Sequence, residues 1–190
     1  KFEGTVGLHL MCEPLLHREF TDIVKKFRKQ LPRTFIRIDT NGDVIDKKMG
    51  QIVEYFDAGL NEILINCYNS SEQRKKRNDA LQLLTKTDRS IWYFNDRGRQ
   101  PIQKRSNWRV VKLRDFFEEG YTVRNWAGHV DEQRGVEVKF PIALSCARPF
   151  RRVHVNYKGQ ILLCNNDWKY EVVIGDLMTD SLKEIWNSSK

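Results

Sequence analysis

Through the first half of the chain, apolar runs of strand length alternate with segments of helical period, and this alternation excludes most folds. Residues 6–10 (VGLHL) read as a short buried strand. Phe20, Ile23, Val24, Phe27 and Leu31 then recur at helical spacing with charges between them, and Pro32 ends that helix. Residues 34–42 (TFIRIDTNG) alternate apolar and polar and close on Asn41-Gly42, a turn signal. Asp46 is placed to cap a second helix whose inner face is Met49, Ile52, Val53 and Phe56, with Gly59 at its end. Residues 62–68 (EILINCY) are nearly all apolar, as in a strand covered on both faces. Ser70 or Ser71 opens a third helix with Leu81, Leu83 and Leu84 toward its end. Residues 90–94 (SIWYF) and 108–113 (WRVVKL) read as two more strands, separated by a basic loop at 95–107. Strand, helix, strand in repetition builds a parallel sheet with crossover helices, so the expected class is α/β.

Ligand sites in such sheets lie past the C-terminal ends of the strands. That rule selects Cys12-Glu13-Pro14, Thr40-Asn41-Gly42 and Asn66-Cys67-Tyr68 as one rim. After about residue 140 the pattern changes. Residues 151–167 (RRVHVNYKGQILLCNND) read as a hairpin turning at Lys158-Gly159, and residues 179–189 (TDSLKEIWNSS) as a short helix capped by Thr179 or Asp180, with Leu182, Ile185 and Trp186 inward. The boundary is placed near Pro141, giving domains 1–140 and 141–190.

Cys146 and Cys164 bracket the hairpin, and spacing alone leaves a disulfide, a pair of core thiols and a metal site open. Four cysteines scattered over 190 residues do not make a disulfide scaffold, so a reducing, cytoplasmic compartment is expected. Cys12 and Cys67 are expected to pack at strand ends. His9, His17, His129 and His154 show no metal spacing; His9 alternates with apolar neighbours, as a satisfied interior histidine would. Trp92, Tyr93 and Phe94 are core by default, or the wall of a substrate cavity, and Trp126, Trp168 and Trp186 are packing anchors. The net charge of +8 favours anionic partners, but a solvated basic surface explains it equally well, and RKKR (74–77) and RPFRR (148–152) are too short to claim nucleic acid. No apolar run approaches the roughly 20 residues of a membrane span.

The residues LHLMCEPLLHREFTDIV, IRIDTNGDVI and EILINCYN resemble the middle and later strands of radical S-adenosylmethionine (SAM) enzymes. The tail, CARPFRRVHVNYKGQILLCNNDW followed by VIGDLMTDSLKEIWNS, resembles the opening of their SPASM or twitch extension. Cys146, twelve residues, Gly159, four residues and Cys164 fit its C-x(9–15)-G-x4-C pattern. The resemblance implies a partial (β/α)6 radical SAM-type barrel followed by a small hairpin-plus-helix domain. It assigns SAM binding to Glu13, Pro14, Thr40, Asn41, Gly42 and Asn66, and auxiliary iron–sulfur ligation to Cys146 and Cys164. Cys12 stands where the family has the Gly of its Gly-Glu-Pro motif, and Asn66 where many members have Ser. Arg124, Asn125 and Gly128 resemble the late barrel segment before the extension.

The implied activity is that of an oxidoreductase or maturase with [4Fe–4S] clusters. Its chemistry is SAM cleavage to a 5′-deoxyadenosyl radical that abstracts a substrate hydrogen, with electrons from a flavodoxin or ferredoxin. The family often matures peptides or oxidises alcohols, and the basic charge admits an anionic substrate such as a nucleotide. The signature C-x3-C-x2-C is absent from these residues. The expectation is that the chain starts after that segment and is inactive alone. The alternative is a catalytically degenerate barrel serving as a basic nucleic-acid- or protein-binding module.

Overall fold

The computed structural model describes residues 2–68, 70–95, 107–115 and 145–188. The chain divides into two compact units, residues 1–119 and 120–190. The boundary near Pro141, the basic loop at 96–106, and Arg124, Asn125, Trp126, Gly128 and His129 lie outside the described residues. Among the described residues no helix is long and apolar enough to cross a membrane.

The first unit is built on five parallel strands: β1 (Thr5–Gly7), β2 (Phe35–Thr40), β3 (Glu62–Cys67), β4 (Trp92–Asn95) and β5 (Val110–Asp115), in the spatial order β1-β2-β3-β5-β4. The fifth strand thus takes the place beside β3 that chain order would give to the fourth. Val110, Val111 and Leu113 of β5 are at most 1% exposed in this interior position, whereas Trp92 of β4 is 63% exposed.

Alternation along the strands sorts their side chains onto two faces. Ile36 and Ile38 of β2, Ile63, Ile65 and Cys67 of β3, and Val111 and Leu113 of β5 form one buried apolar cluster. The same cluster takes Phe20 and Val24 from α1 (Phe20–Gln30), Ile45 from α2 (Asp43–Lys47), Ile52, Tyr55 and Phe56 from α3 (Gln51–Asp57) and Leu81 from α4 (Ser71–Thr87). All four helices therefore cover one face. Each buried aliphatic or aromatic side chain contributes about 1.5–3 kcal/mol, so this face holds the unit together. The interleaved Arg37, Asp39, Glu62, Asn66 and Lys112 belong to the opposite face. Register sets Arg37 beside Glu62, Leu64 beside Lys112 and Asn66 beside Arg114.

The single helix expected after β2 is two, broken at residues 48–50, and Asp46 lies inside α2 rather than capping a helix. Gly59 ends α3 as expected. Its φ of +111° suits the left-handed turn, and Leu60 N–H donates to Tyr55 O while Gly59 N–H donates to Phe56 O. Ser70 caps α4 by accepting from Gln73 N–H, and on that helix Leu83 is 66% exposed while Leu81 is buried.

In the second unit, β6 (His154–Val155), β7 (Gln160–Leu162) and β8 (Val173–Asp176) form an antiparallel sheet in that order, followed by α5 (Leu182–Trp186). The buried Asn156 makes the hairpin turn: its Oδ1 accepts from Lys158 N–H and Gln160 N–H, and Gly159 sits at φ +85°. Ser181, not Thr179 or Asp180, caps α5, in a reciprocal capping box with Glu184. Only Ile185 of its apolar residues is buried, packed on Gly175; Leu182 and Trp186 stay nearly half exposed, as does Trp168.

Candidate functional site

Two of the three predicted rim segments are tied together by one carboxylate. Beyond β1 the chain runs through residues 8–12 to Glu13, which caps a short 3-10 helix (Pro14–Leu16) with Pro14 in its first position. Glu13 Oε1 accepts from Leu15 N–H at 3.2 Å and from the Thr40 hydroxyl at 2.7 Å. Its Oε2 accepts from Asn41 N–H at 2.9 Å. Thr40 Oγ1 in turn accepts from Gly42 N–H at 3.1 Å, and Asn41 Oδ1 from Asp43 N–H at 3.0 Å. Gly42 has φ +82°, and a Cβ there would lie 2.7 Å from Arg77 Cζ and from Ile65 Cγ2. Glycine is needed on both counts. The predicted residues Glu13, Thr40, Asn41 and Gly42 thus form one hydrogen-bonded clamp, with Pro14 starting the short helix beside it.

The clamp borders a cavity of about 440 Å3 whose lining includes His9, Cys12, Glu13, Thr40, Asn66 and Tyr68. That volume falls in the range of small-molecule sites, about 300–1,000 Å3. Asn66 is only 8% exposed, and among the described residues its buried Oδ1 has no hydrogen-bond partner. An unpartnered acceptor on a residue that lines the cavity can be met by a donor of a bound molecule, and meeting it recovers about 1–3 kcal/mol. A SAM molecule offers such donors in its ammonium group and ribose hydroxyls. Glu13 has room for one more: a carboxylate has about four acceptor sites, and three are filled. The residues present fit the molecule. Cys12, expected to pack, is instead exposed beside this cavity; Cys67 packs as expected, in the apolar cluster.

A row of alternating charge crosses the sheet face opposite the helices. Lys112 Nζ lies 2.7 Å from Glu62 Oε2, Arg37 Nε 3.4 Å from Glu62 Oε1, and Arg37 Nη2 2.5 Å from Asp39 Oδ1. His9 closes the row, its Nδ1 accepting from Asp39 N–H at 3.1 Å and its Nε2 standing 3.5 Å from Asp39 Oδ1. Burial pushes the His9 pKa below its usual value; the attraction of Asp39 opposes this and Arg37 reinforces it. Neutral His9 and Asp39 both line the cavity, so the row ends there.

Sequence reasoning selected His9 only as an interior residue and passed over Arg37, Asp39 and Arg77. The first two were signalled by their alternation with Ile36 and Ile38. Arg77 was read with the basic run 74–77, yet its spacing of four and seven to Leu81 and Leu84 places it on the inner face of α4. Tyr93, likewise, turns to the helices and donates to Asn78 Oδ1 at 2.8 Å, while Trp92 is exposed rather than core.

In the second unit Cys146 is exposed and Cys164 half-buried, both as free thiols. Cys164 Sγ accepts from Asn166 N–H at 3.4 Å. Arg148 Nη1 reaches Asn165 Oδ1 at 3.4 Å, joining the segments that carry the two cysteines. The Cys164 loop is braced by the buried Asp167, whose carboxylate accepts from Glu171 N–H and Val172 N–H. Among the described residues no three His, Cys, Asp or Glu side chains gather as a metal site.

A five-stranded parallel sheet with helices packed on one face, followed by a small antiparallel hairpin unit, is the α/β architecture expected. Residues 146–190 match the SPASM family, described as an iron-sulfur cluster-binding domain. The fold is that of BtrN. Its crystal structure in complex with AdoMet (SAM) and 2-DOIA superposes with a TM-score of 0.68 at 19% identity, covering 99% of this chain and 63% of BtrN. BtrN in an open conformation gives 0.58 at 19% identity, covering 99% and 61%. The chain therefore spans somewhat less than two thirds of the solved protein it matches. No curated protein matches it.

Proposed function

We propose that this chain supplies the SAM-holding rim and the first auxiliary-cluster ligands of a radical SAM iron–sulfur oxidoreductase. The observation that carries the reading is the cavity past the strand ends, with the Glu13 clamp on one side and the orphaned Asn66 acceptor on the other. Glu13 and Asn66 accept from the ammonium group and ribose hydroxyls, and Thr40, Asn41 and Gly42 hold Glu13 in place. When a [4Fe–4S] cluster and SAM are bound, they supply a 5′-deoxyadenosyl radical for hydrogen abstraction from substrate. Cys146 and Cys164 ligate an auxiliary cluster. His9 and Asp39, the end of the charged row that lines the cavity, support a polar substrate over an apolar one, because an apolar molecule would displace water from them without replacing its hydrogen bonds. A flavodoxin or ferredoxin is the electron donor.

The test is anaerobic reconstitution of the full-length protein with iron and sulfide, followed by iron counting, paramagnetic resonance and detection of 5′-deoxyadenosine from SAM. Clusters in multiples of four irons with 5′-deoxyadenosine release support the reading. Protein that stays colourless and retards nucleic acid in a salt-dependent way would replace it with the basic binding module.

A further inference from the structure

Arg77 lies outside the cavity and is nevertheless tied to both of its walls. It is 2% exposed, on the inner face of the seventeen-residue helix α4. Its guanidinium grips α2 by a two-point pair, Nε to Asp46 Oδ1 at 2.8 Å and Nη2 to Asp46 Oδ2 at 2.8 Å, with Nη2 also 3.2 Å from Asp43 Oδ1. Its plane lies against Gly42, where no Cβ would fit. Through its other nitrogen, Nη1, it stands 3.6 Å from Cys67 Sγ, next in sequence to Asn66.

Helix α2 has five residues and no side-chain cap. Such a short helix has little stability of its own, because the first turn is the costly one. It carries the Thr40–Gly42 turn: Asp43 N–H donates to Asn41 Oδ1, and Asp46 N–H to Gly42 O at 2.9 Å. That turn holds Glu13 through Thr40 and Asn41. One buried guanidinium therefore links the clamp wall to the end of the strand that carries the Asn66 wall. An apolar residue would fill the space without setting this spacing, whereas a planar fork of five donors engages three side chains at fixed angles.

We infer that Arg77 is a positioning residue for SAM, setting the distance between the Glu13–Thr40–Asn41 clamp and Asn66 without touching the ligand. The inference rests on the proposed reading of the cavity as a SAM site. Its test is the SAM dissociation constant, by anaerobic calorimetry on the reconstituted full-length protein, for wild type, Arg77→Lys, Arg77→Met, Thr40→Val and the double variant Arg77→Met/Thr40→Val.

Arg77→Met should weaken SAM about tenfold, the scale on which buried residues off a site modulate binding. Arg77→Lys should recover part of the loss, because a single ammonium cannot span Asp43, Asp46 and the thiol together. In the Thr40→Val background, Arg77→Met should cost less than threefold more, since both act through the same turn. If Arg77→Met does not fold, Asp46→Asn, at a carboxylate 26% exposed, carries the same test with a loss of about threefold. Unchanged affinity in the single variants, or losses that simply multiply in the double variant, would overturn the inference and leave the SAM site standing. Wild-type protein that binds no SAM would instead overturn the reading on which it rests.

Discussion

Replacing Glu13 by alanine takes the centre out of the clamp. The carboxylate accepts one hydrogen bond within its own turn, from Leu15 N–H, and two from the turn after β2, from the Thr40 hydroxyl and Asn41 N–H. A net hydrogen bond contributes about 0.5–1.5 kcal/mol, more when the acceptor is charged. The lost donors face a cavity and can turn to water, so the two bonds between turns together contribute about 2 kcal/mol. Loss of that much lowers the melting temperature of a chain this size by about 4–8 °C and leaves it folded. Separately, if the remaining acceptor site of Glu13 takes a charge-assisted hydrogen bond from the SAM ammonium, losing that bond, about 2 kcal/mol, raises the dissociation constant about thirtyfold. Iron content should not change, because Glu13 is not among the proposed cluster ligands. Scanning calorimetry and SAM titration on the anaerobically reconstituted full-length protein measure both. A Glu13→Ala protein with wild-type affinity would refute the clamp's part in binding, whatever happened to its melting temperature.

Cys164→Ser and Cys146→Ser should each lower iron and sulfide content after reconstitution and leave the primary SAM titration unchanged; equal iron in wild type and both variants would remove them as ligands. A pH effect follows from His9. Burial keeps its folded pKa below the unfolded value of about 6.5, so as pH falls through 6.5 the unfolded chain takes up a proton that the folded one refuses. This contribution is fully present above pH 6.5 and is lost as pH falls toward the folded pKa. Thermal melts from pH 7.5 to 5.5 should therefore show a steeper loss of stability in wild type than in His9→Gln; parallel slopes would contradict it.

Much of the sheet was legible because its strands carry their own evidence: Ile36, Ile38, Ile63, Ile65 and Leu113 alternate or run together as buried strands do. The rim was legible by rule, since Thr40, Asn41 and Asn66 stand at strand ends and Glu13 lies in the segment that follows β1. The placing of β5 inside β4 was not, because strand order is set between distant segments. Asp46 looked like a cap because an acid before an apolar run usually is one. Its partner, Arg77, lies 31 residues away in sequence and cannot be found from local pattern. The charged row escaped for the same reason: Glu62, Arg37 and Lys112 look like surface charges singly and become a network only when three strands are set in register.

The orphaned acceptor of Asn66 offers the most direct measurement of the central claim. SAM titrated anaerobically into the reconstituted full-length protein should bind one to one. An Asn66→Leu variant, close to the same volume with nothing to accept a hydrogen bond, should lose at least tenfold in affinity while melting at or above the wild-type temperature, because an unsatisfied buried polar atom has been removed. Saturable SAM binding that Asn66→Leu leaves untouched would mean that the molecule sits elsewhere and that this cavity is not its site.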